Sequence, residues 1–289
     1  MHDRKGGIKL TQVKEIGRIC PTDSNGYLVN ESKITNIDCE FSKVIEKTVE
    51  KYQIHLRENL HSIYIRGSIP RGLGIKSVSD LDTIAITNKH PNEIELKWVD
   101  EAEQVINNEY ICINGVELSF YFIEDILDTT HFSIIPFMIK THSVCVYGED
   151  ISGLLPMYKP DQTLANEHLV NLKKQIQQAK EDLVDNDDPE DILDCCGWIM
   201  KIIVRAGLAL VIEEEGKYTR DLYPAYRIFS QHFPEKESEM KQAITFAINP
   251  INNPKEILKF LDEMGNWMIH QSEKWLQMYN PKKVKNMEM

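Results

Sequence analysis

Asp80 and Asp82 stand one residue apart in RGSIPRGLGIKSVSDLDTIAI, residues 66–86. The run 81–87 is apolar and β-branched and predicts a strand, in which alternate side chains share a face. Both carboxylates then point one way, while Leu81 points to the core with Thr83 as its neighbour. Like charges a few ångströms apart repel and raise one another's pKa unless a cation lies between them. No Arg or Lys stands inside this strand, so the expected neutraliser is a hard divalent cation. Mg²⁺ takes one or two carboxylates and completes its shell with water and phosphate oxygens. The ligand this implies is a nucleotide.

Upstream, Gly67 and Ser68 end the preceding apolar run. A glycine there lets backbone N–H groups approach an anion, and a serine hydroxyl adds a further donor. The turn is therefore expected to seat a phosphate. It is not a Walker loop, which needs Gly-Lys-Ser/Thr after four intervening residues; four residues beyond Gly67 the chain reads Gly72-Leu73.

These residues need strands to hold them, and the first half of the chain supplies the patterns. Phe41, Val44, Ile45, Val49 and Tyr52 recur at helical spacing from Asp38 onward. Strands are expected at 62–66, 81–87 and 116–123, with a helix over 92–107. Residues 131–147 are apolar and fit either helix or strand. Beyond Pro160 the periodicity is helical throughout, over 164–183, 192–212, 221–231, 235–248 and 255–279, with polar or Pro/Gly breaks between. The expected organisation is a domain of residues 1–150 that includes a polar amino-terminal extension, then a helical bundle of residues 151–289. Trp198, Trp267 and Trp275 read as core. His55, His61, His131 and His142 have no ligand spacing.

The chain has 289 residues, is 42% hydrophobic and carries a formal charge of −12. That length supports two cores. An acidic balance argues against a surface that tracks nucleic-acid phosphates, so no nucleic-acid partner is expected. Six cysteines without C-x-x-C spacing and the lack of an opening secretory segment suggest reduced thiols and a cytoplasmic protein. The most apolar helical run, 199–212, is cut by Lys201 and Arg205 and is too short to cross a bilayer, so no membrane association is expected.

GSIPRGLGIKSVSDLDTIAI resembles the signature of the polymerase-beta-type nucleotidyltransferases: Gly-Ser, then about a dozen residues on Asp-x-Asp among apolar residues, with Arg71-Gly72 and Ser79-Asp80 inside it. The resemblance implies a third acid on a neighbouring strand. GVELSFYFIED offers Glu117, alternating with Val116, Leu118, Phe120 and Phe122; Glu124 and Asp125 at the strand's end rank lower. In layout the chain is similar to the aminoglycoside adenylyltransferases of the streptomycin and spectinomycin type, although the motif itself spans only 62–124. That likeness implies an α+β fold, with a small mixed sheet flanked by helices and then an all-α bundle completing a cleft.

The same resemblance implies a Mg²⁺-dependent transferase that moves a nucleoside monophosphate, AMP from ATP above other NTPs, to a hydroxyl of a small-molecule acceptor. Two Mg²⁺ ions about 3.5–4 Å apart would be bridged by Asp80 and Asp82, with Glu117 on the first ion or taking the acceptor's proton. Gly67 and Ser68 would orient the terminal phosphates, and Arg66 and Arg71 would act as a cationic clamp or form surface ion pairs. Lys217 and Arg220 in EEEGKYTRDLYPAY are the carried-over phosphate contacts. An acceptor such as an aminoglycoside-like antibiotic fits; a protein-modifying transferase and a non-catalytic nucleotide-binding module are the alternatives. The acids at Glu181, Asp182, Asp185, Asp187, Asp188, Glu190, Asp191 and Asp194 suit a cationic acceptor, and equally a helix start with Asp188 as N-cap and Pro189 at the first position.

Overall fold

In the computed structural model, residues 13–130 and 132–280 are described; His131 lies outside them. The chain divides into two compact units. One runs from Pro21 to Tyr158, and the other joins 13–20 to 159–280.

The sheet unit begins with α1 (Cys39–Leu56), whose N-cap Asp38 accepts from the Glu40 amide. It continues through β1 (Leu60–Arg66), β2 (Leu81–Thr87), α2 (Val99–Glu109), β3 (Val116–Phe122), α3 (Ile123–Leu127), α4 (Ile134–His142) and β4 (Ser143–Gly148). The four strands lie in the order β3-β2-β1-β4; β2 and β3 are parallel and the other pairs antiparallel. The ambiguous stretch 131–147 is thus a helix followed by an edge strand.

Alternation along the strands gives the sheet two apolar faces. On one, Phe41, Val44, Tyr52 and Leu56 of α1 and Ala102 and Ile106 of α2 cover Ile63, Ile65, Leu81, Ala85, Val116 and Leu118. On the other, Ile126 of α3, Ile139 of α4, Ile151 and Leu155 cover Tyr64, Ile84 and Ile86. Each fully buried Leu or Ile here contributes on the order of 2 kcal/mol. Inside the first face Tyr52 Oη lies 2.7 Å from Thr83 Oγ1, which itself donates to the Glu117 carbonyl at 2.7 Å. The single threonine proton is used on Glu117, so the tyrosine is the donor to Thr83. Burial pushes the Tyr52 hydroxyl well above the usual phenol range.

The helix expected over 92–107 starts later, at Val99. Pro91 opens a separate 3₁₀ turn, Pro91–Glu93, and Trp98 Nε1 donates to the Glu95 carbonyl, holding the intervening segment out of helix. From α2, Glu103 Oε1 accepts from the Leu118 amide at 2.8 Å and Asn107 Oδ1 from the Val116 amide at 2.9 Å, on the outer edge of β3.

The helical unit holds α5 (Gln162–Leu169), α6 (Leu172–Leu183), α7 (Pro189–Ala209), α8 (Ile212–Glu215), α9 (Leu222–His232), α10 (Glu237–Ile248), α11 (Pro254–Phe260) and α12 (Asn266–Tyr279). The pattern over 164–183 is two helices rather than one, and 255–279 is broken by a π-helical turn, Leu261–Gly265. α7 packs against α5, α6, α9 and α10, burying Ile192, Cys196, Ile199, Met200 and Ile203. Trp275 is buried, but Trp198 is 41% exposed, against expectation: it follows Asp191 and Asp194 at helical spacing on the polar side of α7.

The amino-terminal stretch packs in this unit too. Cys20 N donates to the Tyr218 carbonyl, Arg18 N to Asp221 Oδ2, and Thr219 Oγ1 to the Arg18 carbonyl. Gly17, at φ +102°, makes the approach feasible, since a Cβ there would stand 2.4 Å from the Asp221 Cβ. The six cysteines are free thiols. Among the described residues no helix is long and apolar enough to cross a membrane.

Candidate functional site

Strand register assembles the site. Arg66 pairs with Asp82 across β1 and β2, and Asp82 pairs with Glu117 across β2 and β3. The three side chains form one row across the sheet. It lies on the face that carries Tyr64, Ile84 and Ser119 in the next row inward. This is the end where β1 finishes and β2 and β3 begin. The sheet thus has apolar cover along most of the face and a charged row at one margin.

Within the row, Arg66 Nη1 lies 3.4 Å from Asp82 Oδ2 and Nη2 lies 3.0 Å from Glu117 Oε2. The other Glu117 oxygen accepts from Ser119 Oγ at 2.8 Å. The expectation that no protein cation neutralises the acids is therefore corrected: the strand itself holds none, but its antiparallel neighbour places Arg66 opposite Asp82. Asp80 stands just before β2, exposed, and accepts from Asn114 Nδ2 at 2.8 Å.

Burial pushes the Asp82 carboxyl up to about 6; Arg66 pulls it down, and the charges of Glu117 and Asp80 push it up again. Asp82 thus senses both other acids, although burial is the main reason its proton is held. Among the described residues no group of three or more His, Cys, Asp or Glu side chains converges as a ready metal cage.

Gly67 follows β1 at φ +91°, and a Cβ on it would lie 3.0 Å from Asp82 Oδ2. Only glycine takes this conformation without strain and lets the backbone come so near the carboxylate. Ser68 opens a 3₁₀ turn, Ile69–Arg71, and its carbonyl accepts from the amides of Arg71 and Leu73. Its hydroxyl donates to Ser79 Oγ at 3.1 Å, and that oxygen also accepts from the Ile75 amide. The turn after β1 is so tied to the segment that delivers Asp80. Arg71 is buried, at 6% exposure.

Of the remaining sequence candidates, Glu124 and Asp125 fall on α3, at the far end of β3 from Glu117, and Asp125 lies 4.0 Å from His90. Lys217 and Arg220 belong to the helical unit, in the loop between α8 and α9. Lys217 Nζ is 2.7 Å from Glu215 Oε2. Arg220 stands close enough to His168 that, after burial and ahead of Arg205, it helps hold that imidazole down at about 3. In the acidic run, Asp188 caps α7, accepting from the amides of Glu190 and Asp191. Sequence reasoning named Ser79 only as part of the Ser79-Asp80 motif, without its role in holding the turn, and did not single out Asn114 or Ser119, which hold Asp80 and Glu117; the polar residues beside those acids were the available signal.

No protein-family model matches the chain, and no curated protein matches it by sequence. Among solved structures, it is similar to the spectinomycin adenyltransferase AAD(9) from Enterococcus faecialis, determined with ATP and spectinomycin. The two are 16% identical with a TM-score of 0.42, over 80% of this chain and 98% of that one. Neither value is high enough to transfer a function, so the functional assignment stands on this chain's own residues.

Proposed function

We propose that the sheet unit is a nucleotidyltransferase centre that moves a nucleoside monophosphate, AMP from ATP, to a hydroxyl of a small-molecule acceptor such as an aminoglycoside-like antibiotic. The observation that carries this is the in-register meeting of Asp82 and Glu117 on parallel strands, with Asp80 at the strand entry and the Gly67–Ser68 turn against Asp82. Acids set this close to a glycine turn suit a polyanion brought in with a divalent cation; a structural ion pair needs only one of them.

The donors fit Mg²⁺ taken up with its nucleotide, because that ion needs only one or two protein carboxylates and keeps water and phosphate oxygens for the rest. Asp82 and Glu117 are the adjacent pair, and Asp80 is the third acid near them. When bound, Mg²⁺ supplies charge neutralisation for the triphosphate and the leaving group. The protein's own groups do the remainder. Ser68 Oγ turns from Ser79 to a phosphate oxygen, and the open Gly67 position lets the backbone lie close to it. Glu117, exposed at the sheet margin, accepts the proton of the attacking hydroxyl. The acceptor oxygen forms a bond to the α-phosphorus as the bond to the bridging oxygen breaks, and pyrophosphate departs. Catalysis is then chiefly positioning and electrostatic stabilisation.

Incubation with radiolabelled NTPs and Mg²⁺, against a panel of aminoglycosides and against cell lysate, tests the proposal. Label on a small molecule, lost in Asp80→Asn, is the expected result. Label on a protein band would transfer the assignment to protein modification. Nucleotide binding without transfer would leave a binding module, and the absence of both would end the nucleotidyltransferase reading.

A further inference from the structure

We infer that Arg66 is a built-in counter-ion of the acid row: it bridges Asp82 and Glu117 in the nucleotide-free protein and has to release them before a divalent cation can be bound. The inference deepens the metal-dependent reading above and rests on it.

Its basis is which atoms Arg66 occupies. The guanidinium divides itself between two strands, one terminal nitrogen on Asp82 Oδ2 and the other on Glu117 Oε2. A divalent cation held by Asp82 and Glu117 would draw on the carboxylate oxygens that Arg66 already engages. Ion and guanidinium would then compete for the same negative charge. The other Glu117 oxygen accepts from Ser119, so both oxygens of this carboxylate have protein partners.

Register makes the bridge a feature of the fold. Arg66 is the last residue of β1 and is paired directly with Asp82, which is paired directly with Glu117. The arm on Asp82 is partly desolvated, with side-chain exposures of 21% and 25%, and is screened less than a surface ion pair, whereas the arm on Glu117 reaches a carboxylate that is 55% exposed.

Charge then says what the bridge leaves undone. One positive group stands against two carboxylates, Asp82 and Glu117, with the third acid, Asp80, two residues from Asp82 at the entry to β2. A doubly charged ion neutralises the row better than a single guanidinium does. Arg66 holds the acids in place when no such ion is bound, and it sets a threshold that the metal must exceed. Arg66 directly precedes Gly67 and Ser68 in the chain, so a released guanidinium is tethered beside that turn. Its planar fork suits a phosphate oxygen pair as well as it suits carboxylates. Metal uptake and nucleotide uptake are thereby coupled through one side chain.

Mn²⁺ binding to nucleotide-free protein, followed by the electron spin resonance of the free ion, tests this without using activity. Arg66→Gln is expected to bind Mn²⁺ about tenfold more tightly than the wild type, the worth of one partly buried ion pair. Arg66→Lys keeps the charge but loses the two-pronged contact, and is expected about threefold tighter. Thermal melts in EDTA report folding. Arg66→Gln should melt below the wild type there and recover with Mn²⁺ by a larger shift than the wild type shows. If Arg66→Gln does not fold, the lysine variant decides the matter. Equal or weaker Mn²⁺ affinity in the folded variants would overturn the inference for Arg66 alone, provided wild-type binding is lost in Asp82→Asn. Failure of the wild type and both Arg66 variants to bind Mn²⁺ without nucleotide would overturn this inference; failure of the wild type to bind Mn²⁺ with ATP present as well would end the metal-dependent function.

Discussion

Replacing Asp82 by asparagine keeps the shape of the side chain and removes one charge from the row. In the folded protein this carboxyl is pushed up from its ordinary 3.8 to about 6, burial being the largest cause. Two pKa units correspond to about 3 kcal/mol of preference for the neutral form. A folded-state pKa above the unfolded one means that the folded protein holds the proton more tightly. The associated stability is complete below pH 3.8 and is lost as the pH rises through 6. At pH 8 the wild type carries that whole cost and the variant none. Asp82→Asn is therefore expected to be more stable than wild type at pH 8, by up to about 3 kcal/mol. The advantage should shrink as the pH falls from 6 toward 4, while nucleotide transfer is lost. Urea unfolding followed by circular dichroism, at matched pH values between 4.5 and 8, measures the difference directly. A variant less stable than wild type at pH 8, or a difference that ignores pH, would refute the view that this row is held at a cost to folding.

The backbone and the caps set two more outcomes. Gly67→Ala forces an L-residue to φ +91° and puts a methyl group 3.0 Å from Asp82 Oδ2; it should lower stability by roughly 1–2 kcal/mol and abolish binding of a fluorescent ATP analogue. Asp188→Ala removes the acceptor for two amides at the start of α7; a loss of about 1 kcal/mol in urea unfolding, with nucleotide binding by the sheet unit unchanged, is expected.

The parts of the site that depend on local pattern are readable without the fold. Alternation over 81–87 separates Asp82 from Leu81 and Thr83, and the β2 boundaries match the pattern. The same alternation on β3 singles out Glu117. Register is not readable in this way, because nothing local says which residue of β1 will stand opposite Asp82. The part played by Arg66 as the partner of two acids is hidden for that reason. The segment 131–147 is ambiguous because α4 is buried through Pro136, Phe137, Met138 and Ile139, a continuous apolar run without helical or strand period. The packing of residues 13–20 with the α8–α9 loop includes hydrogen bonds across some two hundred positions, a distance over which local pattern carries no information. Trp198 shows the opposite error, an aromatic side chain assigned to the interior on hydrophobicity alone.

The outer border of β3 bears on how this molecule behaves in a crowd. A bare strand margin offers amide hydrogens to any passing extended segment and so invites chains to join edge to edge. Here Glu103 and Asn107 reach down from α2 and occupy the hydrogens of Leu118 and Val116, the rungs on either side of Glu117. The free margin of β3 is thereby closed to strand-on-strand growth at both of these rungs, and one turn of α2 does it.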